Sequence, residues 1–226
     1  MKQLFKQTTK EMKKDLVLSD LDGTLTKKSL VLEHYGYLIK NGIVEDDGTY
    51  KAWSMDMKNE KLITECAMSY QRALIGKSIN ELEVMDFITE FVYNDDNWYL
   101  EVMETLEVAR DFGNTDIILI TGSADFLVQP LCEILGFDCF ATIYKRDLKT
   151  DKLNGEIVPM FGDTHKDKCI KDNIDLHLYN DIVGFGDTSS DYGIFKNCKR
   201  NILVHPTKET LVNLITKDVK IEKIIK

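Results

Sequence analysis

Two aspartates stand two residues apart at the end of an apolar run: Asp20 and Asp22 in "DLVLSDLDGTLT" (15–26). Carboxylates about 4 Å apart repel by roughly 4 kcal/mol at an effective dielectric near 20, so a fold that keeps them must supply an opposing charge. A hard divalent cation such as Mg²⁺, bound through oxygen ligands, does this. Asp187 and Asp191, in "GFGDTSSD" (184–191), follow a second apolar run, and Thr121, Gly122 and Ser123 follow a third. If the three runs are strands of one parallel sheet, their ends share an edge and these distant residues converge. Asp187 then adds a metal ligand, and Asp191 is placed to orient a metal-bound water.

The elements needed to position these groups are legible. Short β-branched runs bounded by polar residues or Gly predict strands at 15–20, 116–121, 140–144, 182–187 and 201–205. Amphipathic stretches predict helices at Val102–Phe112, closed by Gly113 as C-cap, at Ala124–Leu135, interrupted by Pro130 and closed by Gly136, and at His165–Asn173. Alternation of this kind predicts an α/β fold, a Rossmann-like parallel sheet with helices on both faces. "KLNGEIV" (152–158) adds a hairpin signal at Asn154-Gly155.

Between the first and second strands the pattern changes. Helical periodicity runs near Leu30–Lys40, Tyr50–Leu74 and Ile79–Val92, the last entered from Ser78 or Asn80, and no strand is evident from Leu25 to Thr115. One crossover helix needs far fewer residues. The expected organisation is a core of 15–25 and 101–226, a mostly helical insertion at 26–100 over the C-terminal strand ends, and a basic N-terminal helix or tail at 1–14.

Bulk properties narrow the partners. With 29 Lys+Arg against 38 Asp+Glu the formal charge is −9, which disfavours general binding to nucleic acid or anionic membranes but leaves room for a phosphorylated small molecule held by local positive charge. No apolar run is long enough to span a membrane, and the first fourteen residues lack the apolar segment of a secretion signal. Five cysteines without a C-x-x-C suggest neither a disulfide frame nor a zinc site, consistent with a reducing, cytoplasmic compartment. "IGKS" (75–78) lacks the first glycine of a P-loop, since position 71 is Gln.

Taken together, "DLDGTL" (20–25), "LITGS" (119–123), Lys166 and "GFGDTSSD" (184–191) resemble the four motifs of the haloacid dehalogenase-like superfamily, nearest its phosphoserine-phosphatase-like branch. The resemblance spans about residues 15–206 and makes the insertion similar to that superfamily's C1 cap. It implies Asp20 as nucleophile, forming an aspartyl-phosphate, and Asp22 as general acid and base that touches Mg²⁺ only through its main-chain carbonyl. It implies Asp20, Asp22 and Asp187 around the metal, Thr121, Gly122 and Ser123 with nearby N–H groups on the phosphoryl oxygens at a helix N-terminus, and Lys166 neutralising phosphate and nucleophile. "GDTHKDKCIKD" also offers Lys168 for that lysine.

Asp22 selects phosphatase or phosphomutase chemistry, because a halide-displacing relative has no alkoxide to protonate. Phosphomonoester hydrolysis is the expected reaction. Alternatives are phosphoryl transfer on the same scaffold, a phosphoryl-accepting signalling module, which would be much shorter, and a degenerate binding protein, which would not keep all four motifs. For the substrate, Arg72 stands where phosphoserine phosphatases hold a carboxylate-binding arginine, but their amine-reading glutamate falls near Ser29, with Glu33 one turn on. That departure speaks against phosphoserine itself, within a phosphoserine-like substrate class.

Overall fold

The computed structural model describes residues 13–57 and 59–226. The N-terminal helix or tail expected over 1–14 therefore lies, up to residue 12, outside the described residues.

The chain opens with β1 (Asp15–Ser19), whose alternate side chains are buried on both faces. Val17 joins one apolar cluster, with Ile117, Leu119 and Phe185, while Leu16 and Leu18 join another, with Ile118, Ile120 and Ile170. Burial on both faces is what a parallel central strand requires. Helices α1 (Leu30–Lys40), α2 (Thr49–Met55), α3 (Glu60–Ala73), α4 (Val84–Val92) and α5 (Leu100–Phe112) follow before β2 (Thr115–Ala124). Leu32, Tyr35, Trp53, Phe87 and Phe91 from this stretch lie in the same cluster as Val17 and Leu119, so it packs continuously against one sheet face.

After β2 come α6 (Asp125–Leu135), β3 (Asp138–Arg146), β4 (Leu153–Val158), α7 (Asp163–Asn173), β5 (Ile182–Gly186), α8 (Tyr192–Phe195), β6 (Arg200–Val204), α9 (Lys208–Thr216) and β7 (Lys223–Ile225). The sheet order is β4-β3-β2-β1-β5-β6-β7, parallel throughout except for the antiparallel β3–β4 pair. From β1 the chain builds one half of the sheet through β2 and β3, then returns to β5 on the other side of β1. The C-terminal end of β1 is thus the topological switch point, where open α/β sheets hold ligands.

Several local expectations are corrected. The β3–β4 hairpin turns at residues 147–152, where the Asp147 carboxylate accepts from the Lys149 and Thr150 N–H groups, and Asn154-Gly155 lies within β4. The helical pattern over 50–74 divides into α2, ending at Met55, and α3, starting at Glu60, with the Asn59 side chain accepting from the Lys61 and Leu62 N–H groups. The pattern over 79–92 splits into a 3₁₀ turn, Ile79–Leu82, entered from Ser78, and α4, separated by Glu83 at φ 47°. Gly136 closes α6 in the left-handed region as expected, but after α5 Gly113 keeps a negative φ and Asn114 takes the positive one. Thr121-Gly122-Ser123 belongs to β2, with a register shift against β3, and the α6 N-cap is Ala124. The short β7 carries no sequence signal.

Candidate active site

Asp20 is the first residue past β1, and its N–H donates to the Phe185 carbonyl of β5 at 3.1 Å. The register that sets Ser19 beside both Leu119 and Phe185 carries the ends of β1, β2 and β5 to one place. Asp20, Asp187 and Asp191 meet there, each offering an oxygen, all within 4.8 Å of one another.

Among the described residues, one cation enters this cluster. Lys166, buried on α7, donates from Nζ to Asp20 Oδ1 at 2.5 Å and to Asp191 Oδ1 at 2.7 Å. Burial opposes its charge, but Asp191 and Asp20 outweigh burial and hold its pKa above the ordinary lysine value. Lys168, the alternative from sequence, is exposed two residues on. The second oxygen of Asp191 accepts from the Asp187 N–H at 3.1 Å and the Thr188 N–H at 3.0 Å, so Asp191 clamps the turn after β5 to Lys166. Burial, with Asp191 and Asp22, outweighs the pull of Lys166 and raises the Asp20 carboxyl to about 7. Asp187 is driven well above the usual carboxylate range by burial and by the charges of Asp191 and Asp20.

Thr24, given no role from sequence, lies between the acids: its Oγ1 is 3.3 Å from Asp187 Oδ1 and 3.5 Å from Asp20 Oδ2. Gly23 makes this turn possible. Its φ is +87°, and a Cβ there would stand 2.3 Å from Asp187 Oδ2.

Asp22 faces elsewhere. Its Oδ1 accepts the Leu30 N–H at 2.7 Å, capping the first turn of α1, where the Ser29 side chain makes no such bond. Its Oδ2 accepts from the Ser123 hydroxyl at 2.7 Å and the Thr121 hydroxyl at 3.1 Å. Burial raises its pKa against the pull of the Leu30, Ser123 and Thr121 bonds. The Thr121 and Ser123 side chains, expected on phosphoryl oxygens, are here engaged with Asp22, while Gly122 sits between them in β2.

A cavity of about 540 Å³ begins at Asp22, Gly23 and Asp187 and runs beneath Leu32, Trp53 and Ile63. Lys27, Lys28, Tyr99 and His205 also line it, and sequence reasoning passed over all four. For His205 a signal existed: it immediately follows a buried strand, as Asp20 does. Arg72 does not line this cavity; its guanidinium pairs with Asp47 at 3.4 Å. Glu33 pairs with Lys28 at 3.4 Å and lines a separate cavity of about 280 Å³.

A family model described as haloacid dehalogenase-like hydrolase matches residues 17–196. The chain belongs to that family. Among solved structures, a Bordetella pertussis Tohama I protein of unknown function is 16% identical, with a TM-score of 0.73, over 95% of this chain and 99% of that one. A substrate-bound phosphoserine phosphatase complex is 19% identical, with a TM-score of 0.63, over 95% of this chain and 94% of that one. A phospho-aspartyl intermediate analogue of phosphoserine phosphatase is 18% identical, with a TM-score of 0.60, over the same shares, 95% and 94%. At these identities the likeness is one of fold, and the fold is the phosphoserine-phosphatase-like form of the family. No curated protein sequence matches the chain. Among the described residues no helix is long and apolar enough to cross a membrane.

The oxygen donors fit a hard divalent cation. Lys166 serves Asp20 and Asp191, and Asp187, whose carboxylate contacts the Thr24 hydroxyl and no cation among the described residues, is the acid most in need of one.

Proposed function

We propose that this family member is a Mg²⁺-dependent phosphatase that hydrolyses a small phosphomonoester through an aspartyl-phosphate on Asp20. The observation that carries the reading is the buried Lys166, 2.5 Å from Asp20 and 2.7 Å from Asp191, beside Asp187, which has no ion pair among the described residues, at the switch point of the sheet. The solved phospho-aspartyl analogue of a phosphoserine phosphatase, which shares the fold, supports it.

Asp20 Oδ2, the oxygen that Lys166 leaves free, attacks phosphorus in line with the ester oxygen, the P–O ester bond breaks, and the phosphoryl group passes to the carboxylate. Asp22, its pKa raised by burial, gives its proton to the departing alkoxide and then takes one from the water that attacks the aspartyl-phosphate. Lys166 stays charged through both steps and offsets the negative charge on Asp20 and the phosphoryl group. Thr121, Gly122 and Ser123 flank the phosphoryl group from the end of β2, and the Thr121 and Ser123 hydroxyls aim Asp22. Asp20, Asp187 and the Asp22 main chain would hold Mg²⁺, which when bound would supply charge neutralisation, and Asp191 fixes the turn that presents Asp187. Residues 26–100 serve as the cap over this site. The five free cysteines fit a cytoplasmic, reducing setting.

The test is turnover of a panel of phosphomonoesters by purified protein. Release of phosphate that needs Mg²⁺ and falls by a factor of about 10³ or more in Asp20→Asn is the expected result. Metal-independent turnover, or an Asp20→Asn variant as active as the wild type, would refute the proposal.

A further inference from the structure

We infer that the leaving group accepted by this site is an apolar, ring-bearing alcohol rather than an amino-acid one, an inference that rests on the phosphatase reading above. The cavity that starts at the reacting groups has about 540 Å³, well inside the ~300–1,000 Å³ typical of small-molecule sites. A phosphoryl group occupies only its inner end at Asp22 and Asp187, so the remainder receives the alcohol part of the ester.

One side of that remainder is apolar and ring-faced. Ile63 from α3 and Met57, 43% exposed, supply the open aliphatic surface, with Leu32 from α1 and Trp53 from α2 buried behind them. Tyr99, the N-cap of α5, and His205, just past β6, stack with ring centroids 4.4 Å apart and an angle of 22° between planes. His205 holds this place in the left-handed region, φ 43°, with its N–H donating to the Ile225 carbonyl at 2.8 Å. A non-glycine backbone of this kind is a strained feature that persists where its surroundings fix it, and here it fixes one ring of the stack.

The charges exclude an ammonium group. The carboxylates lining the cavity are those of Asp22 and Asp187. Asp22 is bonded to Leu30, Ser123 and Thr121, and Asp187 stands in the acidic cluster at the phosphoryl end. Neither is left to receive a substrate ammonium in the outer cavity. Lys27 and Lys28 line it instead, Lys27 without an ion pair among the described residues, so an amine there meets positive charge. Ser29 occupies the cavity wall with an uncharged side chain, and Arg72 is paired with Asp47 away from it.

The experiment compares 2-phenylethyl phosphate, ethyl phosphate and O-phosphoserine with Mg²⁺ and the full chain. The first two have similar alkoxide leaving groups, so their ratio of kcat/KM reads the outer cavity rather than the chemistry. Burying one phenyl ring against Ile63, Met57 and the Tyr99 ring is expected to favour 2-phenylethyl phosphate by roughly 30-fold, mostly through KM. O-phosphoserine is expected to be the poorest of the three. In Trp53→Ala the ratio collapses towards one. Because Trp53 is buried, Met57→Asp serves as a second variant at an exposed position: it lowers the same ratio and improves O-phosphoserine relative to ethyl phosphate. A wild-type ratio near one, O-phosphoserine as the best substrate, or a ratio unmoved in both variants would overturn the inference while leaving the phosphatase reading in place. No turnover of any of the three would count against that reading and the inference together.

Discussion

At the scale of single residues, the site depends on one lysine among four acids. Lys166 is 3% exposed and bonds both Asp20 and Asp191, so removing its charge leaves two buried carboxylates facing each other and Asp187. Breaking such a pair from one side costs about 3–5 kcal/mol. Lys166→Met is therefore expected to lose about that much stability in urea unfolding at neutral pH without divalent cations; an unchanged midpoint would show that the lysine does not hold the cluster. Much of this was legible in the sequence, because Asp20, Asp22, Thr121, Asp187 and Asp191 all sit at or just past the ends of apolar runs. The direction in which a side chain turns was not. Nothing in "DLDGT" says that the Asp22 carboxylate caps α1 at Leu30 while that of Asp20 meets Lys166, since both follow from where α1 and α7 pack.

At the scale of elements, α7 must be held at a fixed distance from the strand ends for Lys166 to reach Asp20. Gly193 on α8 sets that distance: a Cβ there would stand 2.1 Å from the Asp163 carbonyl oxygen and 2.9 Å from the Asp167 nitrogen, both backbone atoms of α7. Gly193→Ala must push α7 aside. The expected cost is about 1–3 kcal/mol of stability, with kcat down by at least ~10-fold because a small misplacement of a catalytic group is costly. A variant with wild-type kcat would mean that α7 tolerates the shift. Elements were readable where periodicity and punctuation agreed, as in α1, found at Leu30–Lys40 as expected. They were misread where a turn dipeptide lies inside a strand, as Asn154-Gly155 does, because Asp147 makes the turn instead. The break at Glu83 had no warning, since glutamate is not a residue that favours positive φ.

At the scale of the whole molecule, the sheet and the helices between β1 and β2 share one core, and a buried histidine sits in it. His34 on α1 is fully buried; its Nε2–H donates to the Leu82 carbonyl at 2.9 Å, so its Nδ1 accepts from the Tyr70 hydroxyl at 2.8 Å in the neutral ring. Burial lowers its pKa to about 4, against the opposite pull of the Leu82 bond. The unfolded chain, with an ordinary histidine value near 6.5, binds a proton that the folded chain refuses between those limits. The resulting stabilisation is complete above pH ~6.5 and is lost as the pH falls towards about 4, amounting to about 3 kcal/mol. In urea unfolding, the wild type is expected to lose stability from pH 7 to pH 4.5 more steeply than His34→Gln; parallel losses would contradict the assignment. The arrangement that ties α1 to α3 and to the turn before α4 also ties α1 to the site, because Asp22 caps that same helix.

The central claim is that Asp20 becomes phosphorylated. Mass spectrometry of peptides from protein acid-quenched during turnover with Mg²⁺ tests it most directly. The account predicts a phosphoryl group on the peptide carrying Asp20, absent without Mg²⁺ and absent in Asp20→Asn. Steady turnover with no phosphoryl group on that peptide, or with the group on another residue, would contradict it.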